Sequence, residues 1–311
     1  MNTTDALEYF LQSGVRISTP LLLASLGELV VEKAGMINIG IEGKVLSGAF
    51  AAFAVANLTG SLGLGVVAAM LAGLVLATLF GTFCIWLRND QIVTGAAINF
   101  LAVGITGLLY KTFFGSTGSA ATITPLADWN LFGLDRLPIL GPILFSQTTL
   151  TYLAIWMALA FAWLNARTRL GFHLSAVGEH PRAADAAGIP VNRVRWAAIL
   201  LEGVLGGLAG ASLTLSLSNT FNEEMSNGRG YIALAIVIFG RWNPLGVMGA
   251  ALFLGAATAL QLLLQAANVQ WLTDHYPYLQ MLPYLLTLMV LAAAIGRARP
   301  PAGLGRHYHR E

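Results

Sequence analysis

Charge is what this chain of 311 residues has least of. Asp, Glu, Lys and Arg together make up 10% of it, against 56% hydrophobic residues and a mean hydropathy of +0.70. So little polar surface excludes an ordinary soluble domain and points to a membrane protein. Cysteine is almost absent too. The single Cys84 excludes an intrachain disulfide framework, and its place inside an apolar run reads as a small buried side chain rather than a reactive thiol. No GxxxxGK[ST] loop and no Rossmann glycine fingerprint occurs, so the chain carries no signature of nucleotide hydrolysis. His173, His180, His275, His307 and His309 form neither HExxH nor another familiar ligand spacing, and no metal site is expected. A basic n-region with an apolar core and a small-residue cleavage site is also missing, so no signal peptide is expected. The net charge of +2 is gathered in loops and the C-terminal tail, which suggests membrane orientation rather than nucleic-acid binding.

What remains is a series of apolar runs about twenty residues long, the length of a membrane helix. They place spans over residues 15–31, 64–87, 91–113, 147–164, 196–217, 245–264 and 281–295. Residues 1–14 are read as outside the bilayer, with Pro20 near the first turn of the first span. Two stretches are less regular. Residues 35–41, flanked by Glu32, Lys33, Glu42 and Lys44, read as a short or broken helix before a fuller helix over residues 44–58, and residues 230–240 are apolar but short. The expectation is an all-α polytopic membrane protein with about ten membrane helices, two of them short or broken. It is read as a single transmembrane domain over residues 1–311, with loops at 114–146 and 165–195. Residues 265–280, with Trp271, Tyr276 and Tyr278, suit the headgroup level. A faint likeness between residues 33–39 and 228–234 suggests an internal repeat, and paired broken helices mark a translocation path.

Residues 165–195 form a charged island, with five arginines against Glu179 and Asp185. Its net charge, and the arginines of the tail, contrast with slightly acidic loops at 114–146 and 218–229. The positive-inside rule puts the island and the C-terminus in the cytoplasm, and ten crossings put the N-terminus there as well. Within the island, Pro181 to Ala187 reads as a short helix, opened by proline and stopped by Gly188. Glu179, Arg182 and Asp185 recur every third residue, and Ala183, Ala184, Ala186 and Ala187 offer small faces. Such a helix fits a shallow groove on a protein partner or lies on the surface between spans. An uphill transporter without its own nucleotide site needs either that partner or an ion gradient coupled through Glu28, Glu42 and Glu202. A membrane scaffold is a third reading.

Three stretches carry a family resemblance: GELVVEKAGMINIGIEGKVLSGAF (residues 27–50), AVGEHPRAADAAGI (176–189) and GRGYIALAIVIFGRWNPLG (228–246). Together they resemble the inner-membrane permease subunits of ABC importers for simple sugars and nucleosides, in the superfamily of ribose and branched-chain amino-acid permeases. The likeness covers residues 15–297. It implies a type II importer-like fold in a bacterial inner membrane and half of a pore completed by a second, longer permease. It also implies a binding protein or lipoprotein outside and a cytoplasmic ATPase that holds the ATP and Mg, this chain binding no cofactor. By the same resemblance, Glu179, Arg182, Ala183, Ala184, Asp185 and Gly188 couple to the ATPase. Glu32, Asn38 and Glu42 match the nucleoside-type pattern. Asn38, Glu42, Asn99 and Tyr231 become candidates for the solute pathway or gate, with Glu42 expected to meet Lys44 or Arg241.

Overall fold

Residues 3–115, 121–130, 140–266, 278, 281–294 and 299–308 are described by the computed structural model. In chain order these are helices α1 (Thr3–Lys33), α2 (Ile41–Thr59), α3 (Leu62–Gly81, ending in a π-helical turn Thr82–Trp86) and α4 (Gln91–Phe114). Strand β1 (Asp128–Asn130), helix α5 (Leu140–Phe145) and strand β2 (Ser146–Thr148) follow, the strands pairing antiparallel with Trp129 opposite Gln147. Then come α6 (Thr149–Arg167), α7 (Arg169–Glu179), α8 (Pro181–Ala186) and α9 (Val191–Ser212, ending in a π-helical turn Leu213–Ser218). Helices α10 (Arg229–Phe239), α11 (Pro244–Ala266) and α12 (Leu282–Ala294) complete the chain before the tail. Among the described residues, seven helices are long and apolar enough to cross a membrane: α1, α2, α3, α4, α6, α9 and α11. The chain is therefore a multi-pass membrane protein.

Local chemistry sets the boundaries. Asp90 accepts the amides of Ile92 and Val93 at 2.9 Å each and starts α4. Pro181 opens α8, as its missing amide costs nothing at a first helical turn. Helices α1 and α9 form the centre of the bundle, with α9 packed against α1, α2 and α3. Glycines let it approach so closely: a Cβ on Gly207 would lie 2.1 Å from the Ala69 carbonyl oxygen of α3. The outer faces carry Leu71 and Val75 of α3, Phe100 and Leu108 of α4, and Trp156 and Trp163 of α6, all exposed. In water such a surface promotes aggregation, whereas hydrocarbon solvates it.

The bundle has two distinct ends. At one, Arg16 pairs with Asp128 and Gln12 donates to the Ser146 carbonyl at 3.1 Å, while Ile123 and Leu126 donate to the carbonyls of Asn219 and Leu215. At the other, the last turn of α1 meets α7 and the tail, with the Gly305 amide donating to the Gly35 carbonyl at 3.1 Å. The loops of opposite charge thus gather at opposite ends, as the charge count expects. Arg16 and Lys33 are separated by about 26 Å along α1, close to a bilayer's hydrocarbon thickness.

Four expectations change. Residues 34–40 hold no helix and make no crossing of their own, because their polar peptides are satisfied by side chains instead. The start of α1, at the Arg16–Asp128 pair, and the described tail, at Gly35, lie at opposite ends of the bundle, whereas the expectation put both termini on one face. Pro20 lies well inside α1, which begins at Thr3. The likeness between residues 33–39 and 228–234 has no structural counterpart, since the first is irregular and the second enters α10. Residues 267–277, 279–280, 131–139 and 309–311 lie outside the described residues, and with them Trp271, His275, Tyr276 and His309.

The packing at Gly207 predicts that Gly207→Ala forces α3 and α9 apart, at about 1–3 kcal/mol. Gly249→Ala, whose Cβ would meet nothing within 4 Å, should cost nothing of the kind. Thermal unfolding in detergent distinguishes them, and equal melting temperatures for the two variants would contradict this packing.

Candidate functional site

The backbone between α1 and α2 leaves helical geometry where the bundle buries or half-buries it, and an unanswered peptide group there is costly. Side chains from three helices answer it. Ile37 donates its amide to Gln91 Oε1 of α4 at 2.8 Å, and Asn38 donates to Glu28 Oε1 of α1 at 3.0 Å. Gly40 donates to Asn38 Oδ1, and Asn99 Nδ2 of α4 donates to the Ile39 carbonyl, both at 3.0 Å. Arg195 Nε of α9 reaches the Ala34 carbonyl at 3.2 Å. The chain turns into this segment at Gly35, whose φ of +80° suits a residue without a side chain.

Beneath the segment lies a buried ion pair, Lys44 of α2 with Glu202 of α9, both side chains fully enclosed. Asn38 Nδ2 donates to the same Glu202 Oε2 at 3.0 Å. Glu202 Oε1 and Glu28 Oε2 are buried with no hydrogen-bond partner among the described residues. Burying charge is expensive, so the pair is a strong tie only while both members are present.

Glu42 is held differently from the expectation. Lys44 is taken by Glu202, and Glu42 accepts the amides of Gly228 at 2.8 Å and Gly230 at 2.6 Å. Its carboxylate therefore sits at the N-terminus of α10, where free amides and the helix dipole favour an anion. At the other end of α10, Arg241 and Trp242 both adopt positive φ, 56° and 54°. The Trp242 indole donates to Glu32 Oε2 at 2.5 Å and fastens that turn to α1. Helix α10 thus hangs between a carboxylate of α2 and a carboxylate of α1.

The four pathway candidates fall around this one network. Asn99 Oδ1 accepts the Gly43 amide at 2.8 Å, and its Nδ2 donates to Tyr231 Oη at 2.9 Å as well as to Ile39. Asn38, Glu42 and Asn99 are buried, whereas Tyr231 is 47% exposed. Of the four, Tyr231 is the exposed one, and the other three hold backbone. Sequence reasoning missed Gln91 as a backbone acceptor. It flagged Glu28, Glu202 and Lys44 as buried charges, but no local pattern joins residues 158 positions apart.

The coupling candidates lie at the opposite edge of the site. Helix α8 ends at Ala186, one residue short of the expected end, and Gly188 at φ +82° stops it. Ala184 packs inward with Val177, Ile189 and Val191, while Arg182 and Ala183 face outward and Asp185 is half-buried. Glu179 ends α7, an amphipathic helix that the sequence reading left as loop, and accepts the Ala302 amide at 3.1 Å. Helix α7 reaches the break directly: a Cβ on Gly178 would lie 2.1 Å from the Lys33 carbonyl oxygen.

The fold and site define a polytopic membrane protein with an irregular link between two of its helices, packed on one side against a short amphipathic helix. Residues 10–294 match the family described as branched-chain amino acid transport system, permease component, and the chain belongs to that family. It is a permease subunit of an ABC transporter and forms part of the translocation pore, with ATP hydrolysis residing in a separate subunit. It is 36% identical to a nucleoside ABC transporter permease protein of Lactococcus lactis subsp. cremoris, over 99% of both chains. A guanosine ABC transporter permease protein of Bacillus subtilis is 35% identical over 99% of this chain and 98% of its own. A putative glucose ABC transporter permease protein of Haloferax volcanii is 35% identical over 97% of each. No solved structure matches.

The ion pair generates a thermodynamic cycle. Lys44→Met strands Glu202 and should destabilise the purified protein by about 3–5 kcal/mol, whereas Lys44→Met with Glu202→Leu should recover much of that loss. Unfolding in detergent reads both, and a double variant as unstable as the sum of its single changes would deny the coupling.

Proposed function

We propose that this chain is one half of the pore of an ATP-driven importer for nucleosides. The single observation that carries this reading is the continuous contact from α7 and α8 to the broken segment, through Gly178 against Lys33 and through Arg195 to the Ala34 carbonyl. A push on α8 then reaches the hydrogen bonds that hold residues 34–40. Such networks move between discrete arrangements rather than deforming smoothly, which suits a gate. The names of the Lactococcus and Bacillus relatives favour nucleosides. The Haloferax relative keeps a simple sugar as the second reading. An ion-coupled carrier is less well supported: Glu42 is spent on two amides, Glu202 Oε2 on Lys44 and Asn38, and Glu28 Oε1 on the Asn38 amide.

In this reading the whole chain is one permease domain of the type II importer class in a bacterial cytoplasmic membrane. The positive island at 165–195 and the tail face the cytoplasm, and the loop at 114–146 and the start of α1 face outward. A cytoplasmic ATPase holding ATP and Mg docks on α8 and its flanks through Glu179, Arg182, Ala183, Asp185 and Gly188, with Ala184 seating α8 from beneath. A second, longer permease completes the pore, and a binding protein or lipoprotein delivers the solute. Tyr231 touches the solute, with its hydroxyl set by Asn99. Asn38 and Glu42 belong to the gate.

Purifying the chain with its neighbouring transporter components and measuring binding across nucleosides, pentoses, hexoses and small amino acids tests the cargo. Tightest binding to a pentose or hexose would replace the nucleoside reading. Arg182→Glu and Gly188→Pro should each lower ATP-driven uptake at least tenfold without loss of membrane insertion, and normal solute-stimulated hydrolysis in both would remove the coupling role from α8. Glu42→Gln keeps one acceptor but turns a donor toward an amide, at about 1–3 kcal/mol. Assembly should survive and uptake in sealed vesicles should fall; unchanged uptake at normal complex abundance would clear Glu42 of gating.

A further inference from the structure

The tail at 299–308 does not hang free of the bundle. The Gly303 amide donates to the Gly178 carbonyl at 2.8 Å, the Gly305 amide to the Gly35 carbonyl at 3.1 Å, and the Ala302 amide to Glu179 Oε2 at 3.1 Å. Leu304 packs on the main core, and Tyr308 packs on the small cluster of Val177, Ala184, Ile189 and Val191 beneath α8. Between α8 and this tail runs a cavity of about 580 Å³. His180, Arg182 and Ala183 line one wall, and Arg306, His307 and Tyr308 line the other. Apart from Tyr308 these six are exposed. Among the described residues of the lining the arginines Arg182 and Arg306 outnumber the one carboxylate, Glu179, which accepts the Ala302 amide, so the rim favours negative charge.

We propose that this groove receives an acidic segment of the partner ATPase, with the tail residues Arg306 and His307 forming a second wall of the docking site opposite α8. The proposal rests on the reading of α8 as the coupling helix and extends the docking surface to residues more than a hundred positions further along the chain. Charge complementarity argues for an acidic occupant. Its wiring argues for a motor rather than a lipid headgroup: the tail is bonded both to Gly178 and to Gly35, where the broken segment begins, so load applied to the groove enters the break from two sides. Ala183, small and exposed, leaves the α8 wall open to a protein segment.

The test compares Arg306→Glu with His307→Glu in one double variant, against Arg182→Glu, in the transporter co-expressed with its own ATPase subunit. Both substitutions of the double variant are on exposed side chains, so unchanged elution of the permease pair checks folding. Association with the ATPase is measured first in detergent, then in neutral phosphatidylcholine vesicles and in vesicles containing anionic lipid. The expected result is at least tenfold weaker association for the double variant in detergent and in both kinds of vesicle, with a steeper loss of wild-type association as salt is raised. If Arg182→Glu weakens association and the double variant does not, the second wall is wrong while the coupling helix stands. If neither weakens it, the coupling reading falls as well. A loss confined to anionic vesicles would assign the groove to lipid headgroups and overturn the proposal.

Discussion

The structure depends on one constraint: a stretch of peptide backbone that has left the helix while buried in the bundle must find its hydrogen bonds within the protein. An orphaned amide or carbonyl there costs several kcal/mol. Residues 34–40 meet this requirement with Gln91, Glu28, Asn38, Asn99 and Arg195, which come from α1, the segment itself, α4 and α9. The break is consequently the knot that ties three long helices together. None of those helices can shift by much without exchanging a whole set of bonds, and that discreteness is what a gate requires.

Helix α10 shows the same economy on a smaller scale. At 11 residues it rises about 16 Å, roughly half a hydrocarbon core. Glu42 answers its first amides and Glu32, through Trp242, steadies the turn after its last. Two adjacent residues at positive φ, neither of them glycine, are strained geometry, and such strain persists only where surrounding contacts fix it. The indole bond and the Trp242 amide on the Val237 carbonyl at 3.2 Å are contacts of that kind.

How much of this was legible beforehand differs by feature, for physical reasons. Long spans announce themselves, because each needs about twenty apolar residues in a row. Helix α8 did too, since Pro181 and Gly188 are local signals at its two ends. The sidedness of the loops followed from their charge. The break at 34–40 was located correctly but read as helix, because glycine and isoleucine suit a short helix and an extended link equally well. Counting it as a crossing put the start of α1 and the tail on one face, whereas the two lie at opposite ends of the bundle. The partners of Glu42 and Lys44 were out of reach: sequence showed that buried charges must be paired, but a backbone amide 186 residues away leaves no mark in composition. Helix α7 was missed because its mixed polarity resembles a loop until its apolar face is seen against the end of α1.

Why the knot contains an ion pair at all is the remaining question of design. Apolar residues of equal volume would pack between α2 and α9 at similar or lower cost, so Lys44 and Glu202 are not explained by stability. What charge adds is selectivity among registers. Lys44 finds a partner only when α2 sits at one height against α9, and Asn38 can share that same carboxylate oxygen only when the broken segment has settled alongside. A shift of one helical turn would leave two ions stranded, whereas a leucine would find another leucine. The pair thus penalises intermediate positions of α2 more than it rewards the native one. In a subunit whose work is to pass between a few defined arrangements, a penalty on everything between them is the property to expect at its centre.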